Sequence, residues 1–310
     1  MPHTKSSYDV AVTLPFANLC QALRAIIAGG VVIVALFPLL GEYGTILFPL
    51  GRDIFFRMIV EVLLLCALLL FALEKRLTLP FSFVSLTFAL YIGIAAFSTI
   101  FSPQKTFSLW GIIYRSQGLF SLLHYFIFFL ILTAVFKTWL QWQRVLLAAF
   151  VASIPITLFT FFEKFAAGSV RVYATLNNPN FLGAYLLLIF FLTLAFFILA
   201  AKKNARWILG IALCMQLFAL FSTYTRGAYL GLFVGGFVFI ILYPDLSLRL
   251  KKAAAACAIG AILLYALLFP FGGGPIALVA PDLAHRLFAP TDILVTASSR
   301  FTAWNAAIKG

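Results

Sequence analysis

Charged side chains are scarce in this sequence. Only 10% of its 310 residues are Asp, Glu, Lys or Arg, whereas 64% are hydrophobic and the mean hydropathy is +1.09. A soluble globular protein of this length needs far more polar side chains to cover its surface. The composition therefore excludes a water-soluble globule and predicts an all-α, polytopic membrane protein.

Residues that commonly build metal sites and disulfides are also few. The chain has four cysteines and three histidines, and none of the cysteines has the spacing of a disulfide framework or of a zinc site. Its nine acidic residues are scattered and include no D-x-D motif. We therefore expect no metal and no other cofactor.

The shortage of acidic residues leaves a net charge of +13, which in a soluble chain would suggest nucleic-acid binding. Here the basic residues fall in short connections between apolar runs, where they set the orientation of membrane helices. We therefore expect no nucleic-acid partner. The pattern predicts a multi-pass protein of the cytoplasmic membrane, surrounded by membrane lipid, with its N-terminus in the cytoplasm.

Long apolar runs fill most of the chain. A spanning helix needs about 20 mainly apolar residues, and this rule predicts about nine spans. They cover 25–40, 54–73, 81–101, 119–136, 145–162, 180–201, 207–222, 227–243 and 253–270. The predicted parts of the chain are a cytoplasmic leader at 1–24, a transmembrane bundle at 25–270 and the start of a large extracytoplasmic loop at 271–310. Because its final stretch, SSRFTAWNAAIKG, begins like an amphipathic helix and then stops, we expect a C-terminally truncated chain.

With this orientation, the basic residues differ in kind between the two sides of the membrane. Seven of the ten cations on the predicted outer side are arginines, whereas seven of the twelve on the inner side are lysines. The planar guanidinium group grips phosphate or carboxylate through paired hydrogen bonds better than an ammonium group does. The outer side therefore has the composition of an anion-binding surface.

Three predicted outer helix starts carry an arginine. Arg226 opens the eighth span in TRGAYLG, Arg171 precedes the sixth in RVYATLNNPNFLG, and Arg115 precedes the fourth in YRSQGLF. An Asn-Pro start of a helix presents free backbone amides and the positive end of the helix dipole to an anion. The side-chain amides beside these arginines belong to Asn178, Asn180 and Gln117. The alternative is that the arginines only anchor the helices by reaching lipid phosphate.

Small residues follow Arg226 at a regular interval. Gly227, Gly231 and Gly235 recur every fourth residue, and such a stripe lets a second helix approach closely. We therefore expect this helix to be buried in the bundle, with Arg226 projecting from its outer end into a protein-lined cavity.

One carboxylate stands inside a predicted span. Glu61 follows Arg57 by four residues and shares its helix face. One interpretation is an Arg57–Glu61 ion pair, which we favour because no second buried carboxylate supplies a relay. The other is a site for proton coupling or ion passage, since a carboxylate within a membrane is a functional candidate. His124 receives no role.

Three ordered motifs carry a resemblance to a known family. They are R-x-x-x-T-x-x-N-P-N-x-L-x-x-Y-L before one span, T-R-G-A-x-L-G at the start of a later one, and S-S-R-F-x-x-W-x-x-A in the long outer segment. Together they resemble the O-antigen ligase and polymerase superfamily. PLGRDIFFRMIVEVLLL and YRSQGLF are similar to members of that group as well, so the resemblance covers essentially the whole chain.

The resemblance implies a metal-independent glycosyltransferase of lipopolysaccharide or other cell-surface polysaccharide biosynthesis. Its members move a glycan from a polyprenyl pyrophosphate carrier, the lipid-linked oligosaccharide donor, to a hydroxyl of a glycan, lipid or protein acceptor. They hold the pyrophosphate with arginines and assist the acceptor with a histidine late in the outer loop. Arg226 and Arg300 match the arginine positions, and Arg171 and Arg115 match further motif positions. We expect the late histidine beyond the end of this truncated chain, since His285 precedes its place, so the catalytic residue is not identified.

Two alternatives to the predicted ligase or polymerase function are kept. A transporter of small anions such as bicarbonate would use the same outer arginines as an entry funnel. It would need polar residues through the bilayer midplane, where charges are nearly absent apart from Glu61. The third possibility is an inactive membrane fragment, because the expected histidine is missing.

Overall fold

The structure, a computed structural model, describes residues 16–40, 48–75, 82–111 and 117–243, together with short stretches between 247 and 306. Within these ranges the chain is helical and has no strand. It divides into two units, Met1–Ala152 and Ser153–Gly310, and the boundary falls inside one helix.

Five helices and the start of a sixth belong to the first unit. They are α1 (Ala17–Leu36), α2 (Phe48–Glu74), α3 (Phe83–Phe101), α4 (Lys105–Trp110), α5 (Leu119–Val135) and α6 (Trp139–Phe161). The start of α3 is fixed by a reciprocal cap, in which the Ser85 N–H donates to Ser82 Oγ at 3.1 Å and the Ser82 N–H donates to Ser85 Oγ at 2.8 Å. Such a cap satisfies two backbone donors that the first helical turn leaves open.

The core of the first unit lies where α1, α2 and α5 meet. α2 packs against both α1 and α5, and α3 packs against α5. Ile27 of α1 and Leu63 of α2 are almost completely buried, and Ile131 of α5 packs with them. The outward faces carry large exposed apolar side chains, such as Phe83 and Phe97 of α3, as a membrane-embedded helix requires.

Up to residue 243, the second unit contains the rest of α6 and three further helices, α7 (Pro179–Leu199), α8 (Lys203–Ser222) and α9 (Arg226–Leu242). A π-helical turn (Phe162–Ala166) ends α6, and a 3₁₀ turn (Ala174–Leu176) precedes α7. α7 is the central helix, because it packs against both α8 and α9. Its start is the one that the sequence predicts: Asn178 is the N-cap, its Oδ1 accepts the Asn180 N–H at 2.9 Å, and Pro179 is the first helical residue.

Six described helices are long and apolar enough to cross a membrane, which confirms a multi-pass helical membrane protein. They cover Ala17–Leu39, Arg52–Glu74, Phe83–Phe101, Trp139–Ala166, Pro179–Leu199 and Lys203–Ser222. The other two predicted spans that lie in described residues, α5 and α9, are apolar helices of 17 residues each. The predicted ninth, at 253–270, lies almost entirely outside the described residues. The described residues therefore hold six full-length spans and two shorter apolar helices, and the count of nine stays a prediction.

The first span also begins earlier than predicted. Residues 17–24, assigned to the leader because they include polar side chains, are the first two turns of α1. Arg24 is accommodated there because its Nη2 donates to both carboxylate oxygens of Glu74, at 2.9 Å each. This ion pair between α1 and α2 thus stabilises Arg24 within α1, although composition alone predicts that the helix starts after Arg24.

Candidate functional site

The helix ends of the second unit meet in a polar region formed by residues 163–180 and 222–226, which we call the polar cap. The Val172 N–H donates to the Ser222 carbonyl at 3.3 Å, and Thr225 Oγ1 donates to the Pro179 carbonyl at 3.1 Å. The loop after α6, the start of α7 and the turn between α8 and α9 are therefore tied to one another.

Two of the predicted anion-binding arginines belong to the polar cap. Arg171 Nε donates to the Thr223 carbonyl at 3.2 Å, which fixes this guanidinium against the α8–α9 turn. Arg226, three residues further along, is the first residue of α9; it is partly exposed, and its Nη2 nitrogen is buried from solvent. The structure therefore brings the two arginine motifs, 55 positions apart in the chain, to the two sides of one turn.

The predicted amides take different places in this region. The Asn178 side-chain oxygen is used for the cap of α7, so its role is to fix the helix start. Asn180 is exposed, and its Oδ1 lies 3.5 Å from Thr225 Oγ1, next to Arg226 in the chain. Of the two, Asn180 is the one placed beside the arginine turn.

Glu163, a buried carboxylate with no role predicted from the sequence, holds the loop between α6 and α7. Glu163 is 5% exposed, and its Oε2 accepts the N–H groups of Tyr173 at 3.0 Å and Ala174 at 2.8 Å. The neighbouring Lys164 contacts other residues of the polar cap. Its Nζ donates to the Val170 carbonyl at 3.1 Å and lies 5.1 Å from the ring centre of Tyr224. One feature of the sequence could have pointed to Glu163: it is a single acidic residue where an apolar span meets a polar loop.

Strained backbone is concentrated in the polar cap. Ala174 (φ 47°), Asn177 (φ 53°) and Tyr224 (φ 48°) have left-handed conformations, and among the described residues Lys75 is the one other non-glycine residue with positive φ. A side chain at such a φ costs energy that the surrounding contacts must offset. Here the bonds from Glu163 and Arg171 hold both strained segments, so the polar cap is fixed in shape, as a preorganised binding site requires.

Glycines set how closely α9 approaches α7. A Cβ atom on Gly231 would lie 2.6 Å from Leu187 Cδ2, and one on Gly235 would lie 2.7 Å from the Phe191 ring. The predicted close approach is thus confirmed for these two glycines, whereas a Cβ on Gly227 would meet open space. The expectation that α9 is buried is wrong, since Leu230, Val234 and Val238 are exposed and Ala228 is its one buried residue. A stripe of small residues specifies one packing face and leaves the others unspecified.

Of the remaining predicted site residues, the structure describes Gln117. Gln117 is an exposed residue of the first unit, directly before the start of α5. Its backbone nitrogen would lie 2.5 Å from a Cβ on Gly111, whose φ of +78° also favours glycine, so glycine is needed where residues 111 and 117 approach each other. Arg115 and Arg300 lie outside the described residues, as does His285.

Polar side chains of α2 and α5 contact one another in the first unit. We call this set the polar ladder; its members are Asp53, Arg57, Glu61, Ser121 and His124. Arg57 pairs with Asp53, and its Nη2 donates to Ser121 Oγ at 2.7 Å. Glu61 instead faces His124, whose Nε2 lies 3.3 Å from Glu61 Oε1. The favoured Arg57–Glu61 pair is therefore wrong, because Asp53 and Ser121 engage the arginine and α5 brings His124 opposite Glu61.

Two other features bear on possible ligands. Within the described ranges, no three His, Cys, Asp or Glu side chains come together as a metal ion would need. An open apolar groove of about 440 Å³ lies between α7 and α9, lined by Phe191, Gly235, Val238, Phe239, Leu242 and Tyr243. This groove is at the opposite end of α9 from Arg226 and has almost no polar lining, so it is not an anion site.

Comparison with known proteins adds no relative. No family model, curated protein or solved structure matches this chain. The resemblance to the O-antigen ligase and polymerase superfamily therefore stays a prediction, carried by the motifs around Arg171, Arg226 and Arg300.

Proposed function

We propose that this protein is a membrane glycosyltransferase of the O-antigen ligase or polymerase type. It would transfer a glycan from a polyprenyl pyrophosphate carrier to the hydroxyl of a glycan, lipid or protein acceptor. The observation that carries the proposal is the contact of Arg171 Nε with the Thr223 carbonyl, which joins the segment RVYATLNNPN to the segment TYTRGA. Two of the three motifs that define the resemblance thus form one local site.

The chemistry of the transfer suits this arrangement. When the anomeric carbon leaves the pyrophosphate, negative charge grows on the phosphate oxygens, and donors fixed around them lower the barrier. Arg171 and Arg226 supply guanidinium groups on a backbone that is already held in shape, so little reorganisation is needed at the moment of transfer. Guanidinium groups also stabilise this charge without a metal ion. Arg115, Arg300 and Gln117 stay predicted pyrophosphate-binding residues on the resemblance alone.

The distribution of lysines supports placing the polar cap on the extracytoplasmic side. The opposite end of the second unit, where α7 ends and α8 begins, carries Lys202, Lys203 and Arg206. Clusters of basic residues in short connections favour the cytoplasm. With α5, α9 and the apolar run at 253–270 also crossing the cytoplasmic membrane, the proposal keeps about nine spans.

A transfer assay tests the proposal directly. The whole protein, including any sequence beyond Gly310, is reconstituted in lipid nanodiscs with a polyprenyl-pyrophosphate-linked oligosaccharide and with lipid, glycan or protein acceptors. We expect a glycosylated acceptor and released polyprenyl pyrophosphate, with activity that survives a metal chelator. If no acceptor is glycosylated and the donor is not bound, the proposal is wrong.

One structural feature favours the second candidate, a transporter of small anions such as bicarbonate. Ser153, Thr157 and Thr160 form a buried polar stripe on α6, and Gln216 of α8 faces it, with Nε2 3.3 Å from Ser153 Oγ. A path across the membrane needs such groups. However, Thr157 and Thr160 donate to carbonyls of their own helix at 2.8 and 2.6 Å, which is how hydroxyls are satisfied in packed membrane helices. Uptake of labelled bicarbonate by proteoliposomes, in the absence of glycan transfer, would favour the transporter.

A further inference from the structure

Five polar side chains meet between α2 and α5. Asp53, Arg57 and Glu61 recur every fourth residue on α2, and Ser121 and His124 face them from α5. Ser121 and His124 are 1% and 5% exposed, and the side chains of Asp53 and Arg57 are also largely buried. Glu61 stands near the middle of the 52–74 span with its side chain 60% exposed, so it is the member of the set that faces away from the protein interior.

The hydrogen bonds of His124 determine where its protons are. Its Nδ1 lies 2.8 Å from the Phe120 carbonyl oxygen, which can only accept, so Nδ1 carries a hydrogen. In the neutral imidazole the other nitrogen, Nε2, is then an acceptor. Nε2 lies 3.3 Å from Glu61 Oε1, and an ionised carboxylate is likewise an acceptor. Two acceptors repel, so the contact needs one further proton, carried by either Nε2 or Oε1.

That proton also balances the charge of the pair. Without it, Glu61 and His124 together carry a net charge of −1 inside a membrane span, and with it the pair is neutral. An uncompensated charge in the hydrocarbon region is expensive, and the shared proton removes it. The guanidinium of Arg57 does not supply the compensation at Glu61, because it pairs with Asp53 and donates to Ser121 Oγ.

We propose that Glu61 and His124 form an intramembrane proton-binding site. The pair takes up one proton from water, forms one O–H or N–H bond, and gains one unit of positive charge. When the proton leaves, the two groups separate and Glu61 loses its contact with α5. The site thereby links the protonation state of the protein to the packing of α2 on α5.

The packed helices carry other ionisable groups besides this pair. α1 brings Cys20 and Arg24, and Arg24 is bound to Glu74 at the end of α2. Against α5, α3 brings Tyr91 and α4 brings Lys105. On the two helices themselves, Cys66 belongs to the buried core and Tyr125 packs against Phe56. The charged groups on the side of the pair toward the start of α2 are Arg52, Asp53 and Arg57.

Infrared difference spectroscopy of the whole protein in nanodiscs, between alkaline and acidic pH, tests the site. We expect a carboxylate signal and an imidazole signal that change together at one pH. Glu61→Gln should abolish both changes, whereas the matched control Glu74→Gln, on the same helix, should leave them unaltered. His124→Gln should shift the pH of the carboxylate change. Loss in both glutamate variants, or a change unaffected by Glu61→Gln, would overturn the proposal.

A second measurement changes no residue of the polar ladder, so its result does not depend on whether the Glu61 and His124 variants fold. Within residues 1–310, which contain three histidines, His3→Asn and His285→Asn leave His124 as the sole one. Nitrogen NMR of labelled histidine should then show Nδ1 protonated at all pH values and Nε2 sensitive to pH. A neutral ring protonated on Nε2 would disprove the assignment, as would an imidazole that titrates independently of the infrared carboxylate signal.

Discussion

Gly183 of α7 and Ala228 of α9 touch so closely that a Cβ on Gly183 would lie 3.1 Å from the Cβ of Ala228. The same added atom would lie 3.3 Å from Thr223 Oγ1 and 3.3 Å from Thr225 Cβ. These neighbours are short side chains next to their own backbone, so they have little freedom to move aside. The close approach presses the start of α7 onto the turn that presents Arg226.

Gly183→Ala should therefore lower stability, by about 1–3 kcal/mol, as overpacking of a rigid contact does. The helix-propensity gain of alanine over glycine, up to about 1 kcal/mol, offsets part of this loss. Thermal unfolding in detergent measures the difference. Gly210→Ala in α8 is the matched control, since its Cβ would be 3.6 Å from Phe197 and in ordinary contact. Equal midpoints for the two variants would contradict the packing.

Glu163→Gln should loosen the loop of the polar cap. The substitution replaces a carboxylate that accepts two backbone N–H groups with a neutral amide, and hydrogen bonds to charged groups contribute about 1.5–3 kcal/mol. Hydrogen exchange at residues 169–176 should become faster. Glu74→Gln serves as the control, because Glu74 pairs with an exposed arginine of the first unit. Unchanged protection in the loop would mean that Glu163 does not hold it.

Arg226→Lys should impair glycan transfer strongly and leave membrane insertion intact. The positive charge remains, but the planar fork that matches a phosphate is lost. A fall of about 100-fold is expected, by analogy with the loss of one fixed transition-state donor. Arg206→Lys is the control, since Arg206 donates to the Ala200 carbonyl at the other end of the unit. Transfer at the original rate would count against a pyrophosphate role for Arg226.

Gln216→Leu should leave the protein at least as stable as it was. Gln216 is 2% exposed, and its Oε1 has no hydrogen-bond partner in the described part of the chain, a situation that costs about 1–3 kcal/mol. Thr193→Val provides the contrast, because Thr193 Oγ1 donates to the Ile189 carbonyl at 2.8 Å and that bond would be lost. Thermal unfolding ranks the two. If Gln216→Leu instead destabilises, the bond from Gln216 Nε2 to Ser153 Oγ outweighs the cost of the unpaired Oε1.

The start of α7 could be predicted from the sequence alone. Asn178 and Pro179 predict the start of α7, because a side-chain cap and a fixed φ act within one turn. The roles of Glu163 and His124 could not be read in this way. Their partners, Ala174 and Glu61, are 11 and 63 positions away, and only the folding of the loop and the packing of α5 on α2 bring them together.

The sequence by itself determined that this is a helical membrane protein, since apolar run length and the placement of charge are set by the bilayer and need no knowledge of tertiary contacts. It also singled out Arg171 and Arg226, because arginine next to a helix start is visible locally. The tertiary structure decided that these two arginines flank one turn, that Arg57 pairs with Asp53 and that Glu61 faces His124. Such pairings depend on which faces of distant helices meet, and side-chain periodicity specifies a face without naming its partner.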